Sequence, residues 1–355
     1  MKKALLLCLT LLAATFVFAQ QQLATLNHND SISVFYGASA LQQAHAAAVN
    51  GDIITLSPGS FNSVDITKAI TIRGAGMFPD TVTGIGNTTL LNHFTLNIAY
   101  DPLHNLIMEG INCTGETMSY STIYDPQFSK CLFRNIQQSG NNSRMRDALF
   151  TNCIINNFIS SYSSNPTDVT AGNILFVNCV ILNNTNLYCG GNSLINCVAK
   201  INRDPHEINQ ISISNSIVYC NDNQSHWGGV NAYTSFNSIG INTNYNSQHR
   251  NFYDPTGVAN HYLYNFNSYA SVFKNFRGTY GEGITFELQD SIAQNVLGSD
   301  GTQVGIYGGF MPFDPRVSGL NIRRLDVARR TTADGRLAVD IEVVNEESTN
   351  TSEEE

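Results

Sequence analysis

The residue types able to do chemistry concentrate in three polar stretches in the second half of the chain. Arg203, Asp204, His206 and Glu207 form the first, Asp222, His226 and Trp227 the second, and His249, Arg250, Tyr253 and Asp254 the third. An arginine can clamp a carboxylate through two parallel hydrogen bonds, and a histidine or carboxylate can move a proton. Trp227, the only tryptophan, can stack on a sugar face. The mixture suits a uronic acid. Arg203, Asp204, His206, Glu207, Asp222 and His226 are therefore the candidates for catalysis, and Trp227, His249, Arg250 and Tyr253 those for substrate binding. A glycoside hydrolase needs two carboxylates about 5–9.5 Å apart; Asp204, Glu207, Asp222 and Asp254 allow such a pair without specifying it. A lyase needs a base beside a carboxylate clamp. The competing reading is that these are solvated charges on long polar loops.

What must position these residues is a repeat. One phrase returns as GINC at Cys113, FSKC at Cys131, FTNC at Cys153, FVNC at Cys179, LINC at Cys197, ISNS at Ser216 and SFNS at Ser238. The anchors lie roughly 18 to 26 residues apart, the period of solenoids. With the anchor as position zero, apolar residues fall at −5, −3, 0 and +2: Ala148, Phe150, Cys153 and Ile155, or Ile174, Phe176, Cys179 and Ile181. The Cys113 and Ser238 coils fit less well. Each alternating pair is an inward-facing strand, and the phase slip between them requires a corner. Asn occupies −1 everywhere except at Lys130, and Asn tolerates the left-handed conformation a corner needs. Strand, corner, strand and loop, without intervening helices, predict an all-β parallel β-helix. A leucine-rich horseshoe is disfavoured, because its consensus and following helix are missing. Coils stack about 4.8 Å apart, so loops two coils apart can share a cleft roughly 10 Å wide.

These repeats resemble the right-handed parallel β-helix of the pectin-lyase-like superfamily. So do the opening segments AAAVNGDIITLSPGSF (Ala46–Phe61) and ITKAITIRGAG (Ile66–Gly76), while FELQDSIAQNVLGSDGTQVGIYGGF (Phe286–Phe310) resembles the closing coil of secreted bacterial members. The likeness covers roughly residues 35 to 312. It implies a right-handed solenoid and leaves activity open, since the superfamily holds lyases, hydrolases and adhesins. The chain lacks the Arg-x-Pro-x-x-Arg segment of family pectate lyases. It also lacks the Asn-Thr-Asp, paired-Asp, Gly-His-Gly and Arg-Ile-Lys motifs of the polygalacturonases, so no catalytic residue carries over. Calcium follows from family analogy alone, and without a DxDxDG loop no cofactor is expected.

Bulk properties agree with an exported solenoid. Of 355 residues only 13% are charged, about half the usual share. The formal net charge is −9 with no basic stripe, which argues against nucleic acid as a partner. Lys2 and Lys3, the apolar run Ala4–Phe18 and the small-residue site at Val17-Phe18-Ala19 read as a signal peptide over 1–19. The expected mature chain begins at Gln20, with no membrane-spanning segment, as a monomer that is secreted, periplasmic or displayed on a bacterial cell surface. Removing Cys8 leaves seven cysteines, an odd number in an oxidising compartment. A column of buried thiols is favoured over disulfides, because stacked strands hold Cβ atoms about 4.8 Å apart where a disulfide needs nearer 3.8 Å. Cys189 and Cys220 lie off this column.

Along the chain, residues 20–35 are expected as a mobile lead-in. ASALQQAHAAAV (Ala38–Val49) is a helix with Leu41, Ala44 and Ala48 on one stripe and Asn50-Gly51 as its stop; it would cap the solenoid, with His45 at the surface or in the cap. Ile53–Leu56 and Ile70–Ile72 are the first strands of a β-helix domain over 36–312. Asp-Pro at Asp101, Asp125, Asp204, Asp254 and Asp314 reads as turn chemistry. Tyr245, Phe252, Tyr253, Tyr262, Tyr264, Phe266 and Tyr269 crowd 240–285, either as a loop packed over the barrel or as a sugar-stacking platform. Residues 313–345 form a small β cap with strands Leu320–Val327 and Arg336–Val344, and 346–355 an acidic disordered tail. The expected function is binding of polysaccharide or a cell-surface glycan or partner through loops, without turnover. The alternative is a polysaccharide lyase or glycoside hydrolase with a non-standard site.

Overall fold

A computed structural model describes residues 22–79, 86–138, 145–159, 172–182, 185–186, 191–201, 211–220, 233–241, 264–279, 285–317, 320–327 and 339–345. They form a parallel β-solenoid built on two long sheets. The first sheet stacks Ile53–Leu56, Thr71–Arg73, Ile107–Glu109, Gln127–Ser129, Leu149–Thr151, Leu175–Val177, Asn192–Ile195, Ile211–Ser214 and Tyr233–Phe236. The second runs from Gly59–Asn62 to Tyr264–Phe266. A short third sheet pairs Ile123–Tyr124 with Met145–Arg146 in parallel.

The corner between the long sheets is the repeat phrase. Lys130, Asn152, Asn178, Asn196, Asn215 and Asn237 all have φ between 44° and 53°, the left-handed region that Asn occupies at low cost. The bend leaves the N–H of the following residue without a strand partner, and the next coil supplies one. Cys153 N–H donates to Cys179 Sγ at 3.5 Å, Cys197 N–H to Ser216 Oγ at 2.9 Å and Ser216 N–H to Ser238 Oγ at 3.1 Å. The thiols of Cys131, Cys153, Cys179 and Cys197 and the Ser216 hydroxyl donate in turn to the carbonyl two residues before them, as Cys179 does to Val177 at 3.3 Å and Ser216 to Ser214 at 2.7 Å. Ser can stand in for Cys here because both donate and accept. Cys113, Cys131, Cys153, Cys179 and Cys197 are all free and buried.

Cys113 nonetheless stands outside that column. Its Cα pairs with Phe133, and Asn112 with Leu132, so Ile111 takes the thiol position and Gly110, at φ 66°, the corner. Misassigned phase explains the poor fit of this coil. A second left-handed column lies six residues before the anchors, at Asp125, Asp147, Asn173 and Gly191, and Asn173 Nδ2 donates to Asp147 Oδ1. Inside, the −3 column stacks Phe128 on Phe150 at 4.7 Å and Phe150 on Phe176 at 5.0 Å, with planes within 20°. One ring per coil matches the strand spacing.

The N-terminal stretch differs from the expected lead-in. Strands β1 (Leu23–His28) and β2 (Ser31–Tyr36) form an antiparallel hairpin, and β1 pairs antiparallel with β3 (Ile53–Leu56), extending the first sheet. Helix α1 (Ala40–Ala47) buries Leu41 and Ala44, with Ala48 just beyond its end, in the same core as β1 and β3. His45 is buried rather than superficial, 6% exposed, and its Nε2 accepts the Thr67 N–H at 3.3 Å. The helix ends on Lys68, whose Nζ reaches the carbonyls of His45, Ala46 and Ala48, a favourable charge at a C-terminus.

The segment expected as a closing coil does something else. Residues 269–279 and 285–313, including helix α2 (Asp290–Asn295), lie against the outer face of the second sheet. Ile154, Val180, Val198, Ile217 and Ile239, one residue after each anchor, point outward and are buried beneath Val272, Phe273, Leu288, Ile292, Val304 and Ile306. Asn178 Nδ2 holds this strap by donating to the Ile306 and Gly308 carbonyls, both at 2.8 Å, and Lys130 Nζ donates to the Arg316 carbonyl at 2.6 Å. The strap thus returns towards the early coils. Tyr269 belongs to it, stacked on Tyr219 at 4.6 Å; this ring is packing rather than a sugar platform. Beyond it, Leu320–Val327 and Val339–Asn345 pair antiparallel.

Candidate functional site

All ten predicted site residues lie outside the described residues: Arg203, Asp204, His206, Glu207, Asp222, His226, Trp227, His249, Arg250 and Tyr253. So do Asp254, Cys189 and, for its side chain, Cys220. The strands that feed these stretches are described. Val198–Ile201, Ile217–Cys220 and Ile239–Ile241 are consecutive neighbours in register, Val198 with Ile217 and Ile217 with Ile239. The three strands that precede the polar stretches therefore end side by side.

A different cluster stands on the short third sheet, three to six coils earlier. Tyr124 ends one of its strands and Arg146 its neighbour, paired in register. The Arg146 guanidinium carbon lies 5.8 Å from the Tyr124 ring centroid, within cation–π range, and its Nε is shielded from solvent without a hydrogen-bond partner. Tyr100 meets the Tyr124 ring edge-on at 4.9 Å. Both rings remain open to solvent, Tyr100 at 66% and Tyr124 at 37% exposure.

The loop carrying Tyr100 is held by Asp101. Its carboxylate accepts the Leu103 N–H at 2.8 Å, Asn50 Nδ2 at 2.8 Å and faces His104 Nδ1 at 3.1 Å. The Leu103 N–H, then His104, hold its pKa down at about 2, so it stays ionised and orients the imidazole. The ring of His104 lies against Gly51, where a Cβ would come within 2.7 Å of it; Gly51 is also left-handed at φ 89°. The Asn50-Gly51 helix stop thereby positions the site, since Asn50 Oδ1 also accepts the Ala69 N–H at 3.0 Å. The hollow between this loop and Ile123–Tyr124 encloses about 10 Å³, room for one water. It is an open platform of two rings, a cation and a half-exposed imidazole, suited to holding the face of a flat polar ligand rather than to enclosing one.

The Asp-Pro reading as turn chemistry holds at Asp101 and Asp314, which accept the N–H two residues on. What it overlooked is the residue before. Tyr-Asp-Pro occurs at Tyr100, Tyr124 and Tyr253, and the recurrence of an aromatic next to a corner was the available signal. Among the described residues no group of three or more His, Cys, Asp or Glu is placed to hold a metal ion, and no helix is long and apolar enough to cross a membrane. No protein-family model, characterised protein or solved structure matches the chain.

Proposed function

We propose that this chain is an exported, right-handed β-solenoid of the pectin-lyase-like type that binds polysaccharide or a cell-surface glycan along the face carrying its short third sheet, without turnover. The observation that carries the reading is the Tyr100–Tyr124 pair with Arg146 against it and His104 beside it: exposed aromatic rings next to a cation on a rigid strand pair. Aromatic faces stack on the apolar faces of sugar rings, and charged or polar groups at their edges bind hydroxyls or carboxylates. Export rests on the basic and apolar N-terminal segment.

The test is incubation of the purified protein with a panel of acidic and neutral polysaccharides, following unsaturated-uronate absorbance and new reducing ends together. Retention by a polymer with silence in both assays supports binding. Absorbance with matching reducing ends makes the protein a lyase, and reducing ends alone a hydrolase. Either would shift attention to Arg203, His206 and Asp222.

A further inference from the structure

The first sheet ends at β2, and that end is unusual. β2 pairs with β1 alone, so among the described residues its outer row of N–H and C=O groups meets no strand. Sheet edges of this kind are ordinarily blunted by a charge, a proline or a bulge. The sequence Ser31-Ile32-Ser33-Val34-Phe35-Tyr36 has none of these. Its alternate residues Ile32, Val34 and Tyr36 share one face and are 68%, 42% and 57% exposed, while Phe35 turns the other way and packs against the core. Helix α1 packs behind the hairpin and leaves Ser31–Val34 exposed.

We propose that β2 is a self-association edge, at which two copies of this chain join antiparallel about a two-fold axis to make one continuous sheet. An unpaired backbone row is completed by another strand, and this strand is complementary to its own copy. Placing Val34 opposite the Val34 of the second copy sets Ile32 opposite Tyr36 in both directions. All six apolar side chains then fall on one face, in direct cross-strand contact. The neutral hexapeptide brings no like charges together. β2 already lies antiparallel to β1, so the added pair continues the local pattern of the sheet. The inference replaces the monomer expected from sequence and is independent of the glycan site.

Light scattering on the eluting protein, from about 1 to 100 µM, tests it. The expected result is twice the chain mass at the upper concentrations, and the single mass for Val34→Lys with an unchanged far-UV spectrum. The register is read with Val34→Cys, which a short bis-maleimide should link into a dimer while the buried thiols of the solenoid stay unreacted. Wild-type protein of single mass throughout would leave the edge to some other strand and overturn the proposal. So would a dimer that survives Val34→Lys. If Val34→Lys does not fold, a Val34→Cys protein that cannot be cross-linked at the upper concentrations overturns it equally.

Discussion

Ser216 Oγ accepts the backbone N–H of Cys197 at 2.9 Å, one coil away, in the place where Cys179 Sγ accepts that of Cys153. The column of cysteines is therefore a hydrogen-bonding device of the corner and not a store of reactive thiols. Burial pushes the Cys197 thiol up to about 12 and those of Cys113, Cys131 and Cys153 well above their ordinary value. The nucleophilic thiolate is suppressed accordingly.

It follows that Cys179→Ser should leave the unfolding midpoint nearly unchanged. Cys179→Val strands the buried Cys153 N–H and should cost about 1–3 kcal/mol. Urea titrations of both variants check this, and a larger loss for Ser than for Val would contradict the corner account. Maleimide labelling of the described thiols should be slow in native protein and complete in denaturant.

The phenylalanine stack carries the interior. Phe150 touches Phe128 and Phe176 face to face and Phe133 and Phe158 edge-on. Replacing it by alanine should cost about 3–5 kcal/mol, read as a lowered urea midpoint at unchanged slope.

The outward +1 column should be as sensitive as the interior. Ile217 is 1% exposed, beneath Gly305, where an added Cβ would meet its side chain at 2.9 Å. Ile217→Ala should cost about 2–5 kcal/mol, although the residue points away from the barrel. A loss below about 0.5 kcal/mol, as at an ordinary surface site, would mean that the strap does not pack there in solution.

How far the sequence reached can be judged from these same positions. Asn at −1 and Cys or Ser at zero were legible because the same need recurs at each corner: a left-handed bend within the coil and, in the coil before it, an N–H to satisfy. The second left-handed column was not, since Asp125, Asp147, Asn173 and Gly191 meet the same need with three residue types. The strap was hidden for a longer-range reason. Apolar Ile154, Val180 and Ile217 at +1 look like strand propensity until a segment some hundred residues later covers them. Strict alternation was the wrong template for a sheet buried on both faces. The platform at Tyr100 and Tyr124 joins residues in separate coils and was read only for its aspartates.

Acidification should weaken the helical end first. Burial, and then the Lys68 charge, lower the pKa of His45 below 6.5, so the unfolded chain binds its proton more readily than the native one. Stability from this group is complete above about 6.5 and is lost as pH falls through the native pKa. In melting curves across that range, His45→Gln should flatten the acid decline relative to wild type. An identical decline would remove His45 as its cause.

The glycan-binding platform is the central claim, and one measurement meets it directly: the affinity of wild type and of Tyr100→Ala/Tyr124→Ala for the polysaccharide that retains the protein. Both rings are exposed, so the double variant should melt as wild type does while binding falls about tenfold or more. Equal affinity with intact folding would contradict the account and place any glycan site elsewhere on the solenoid.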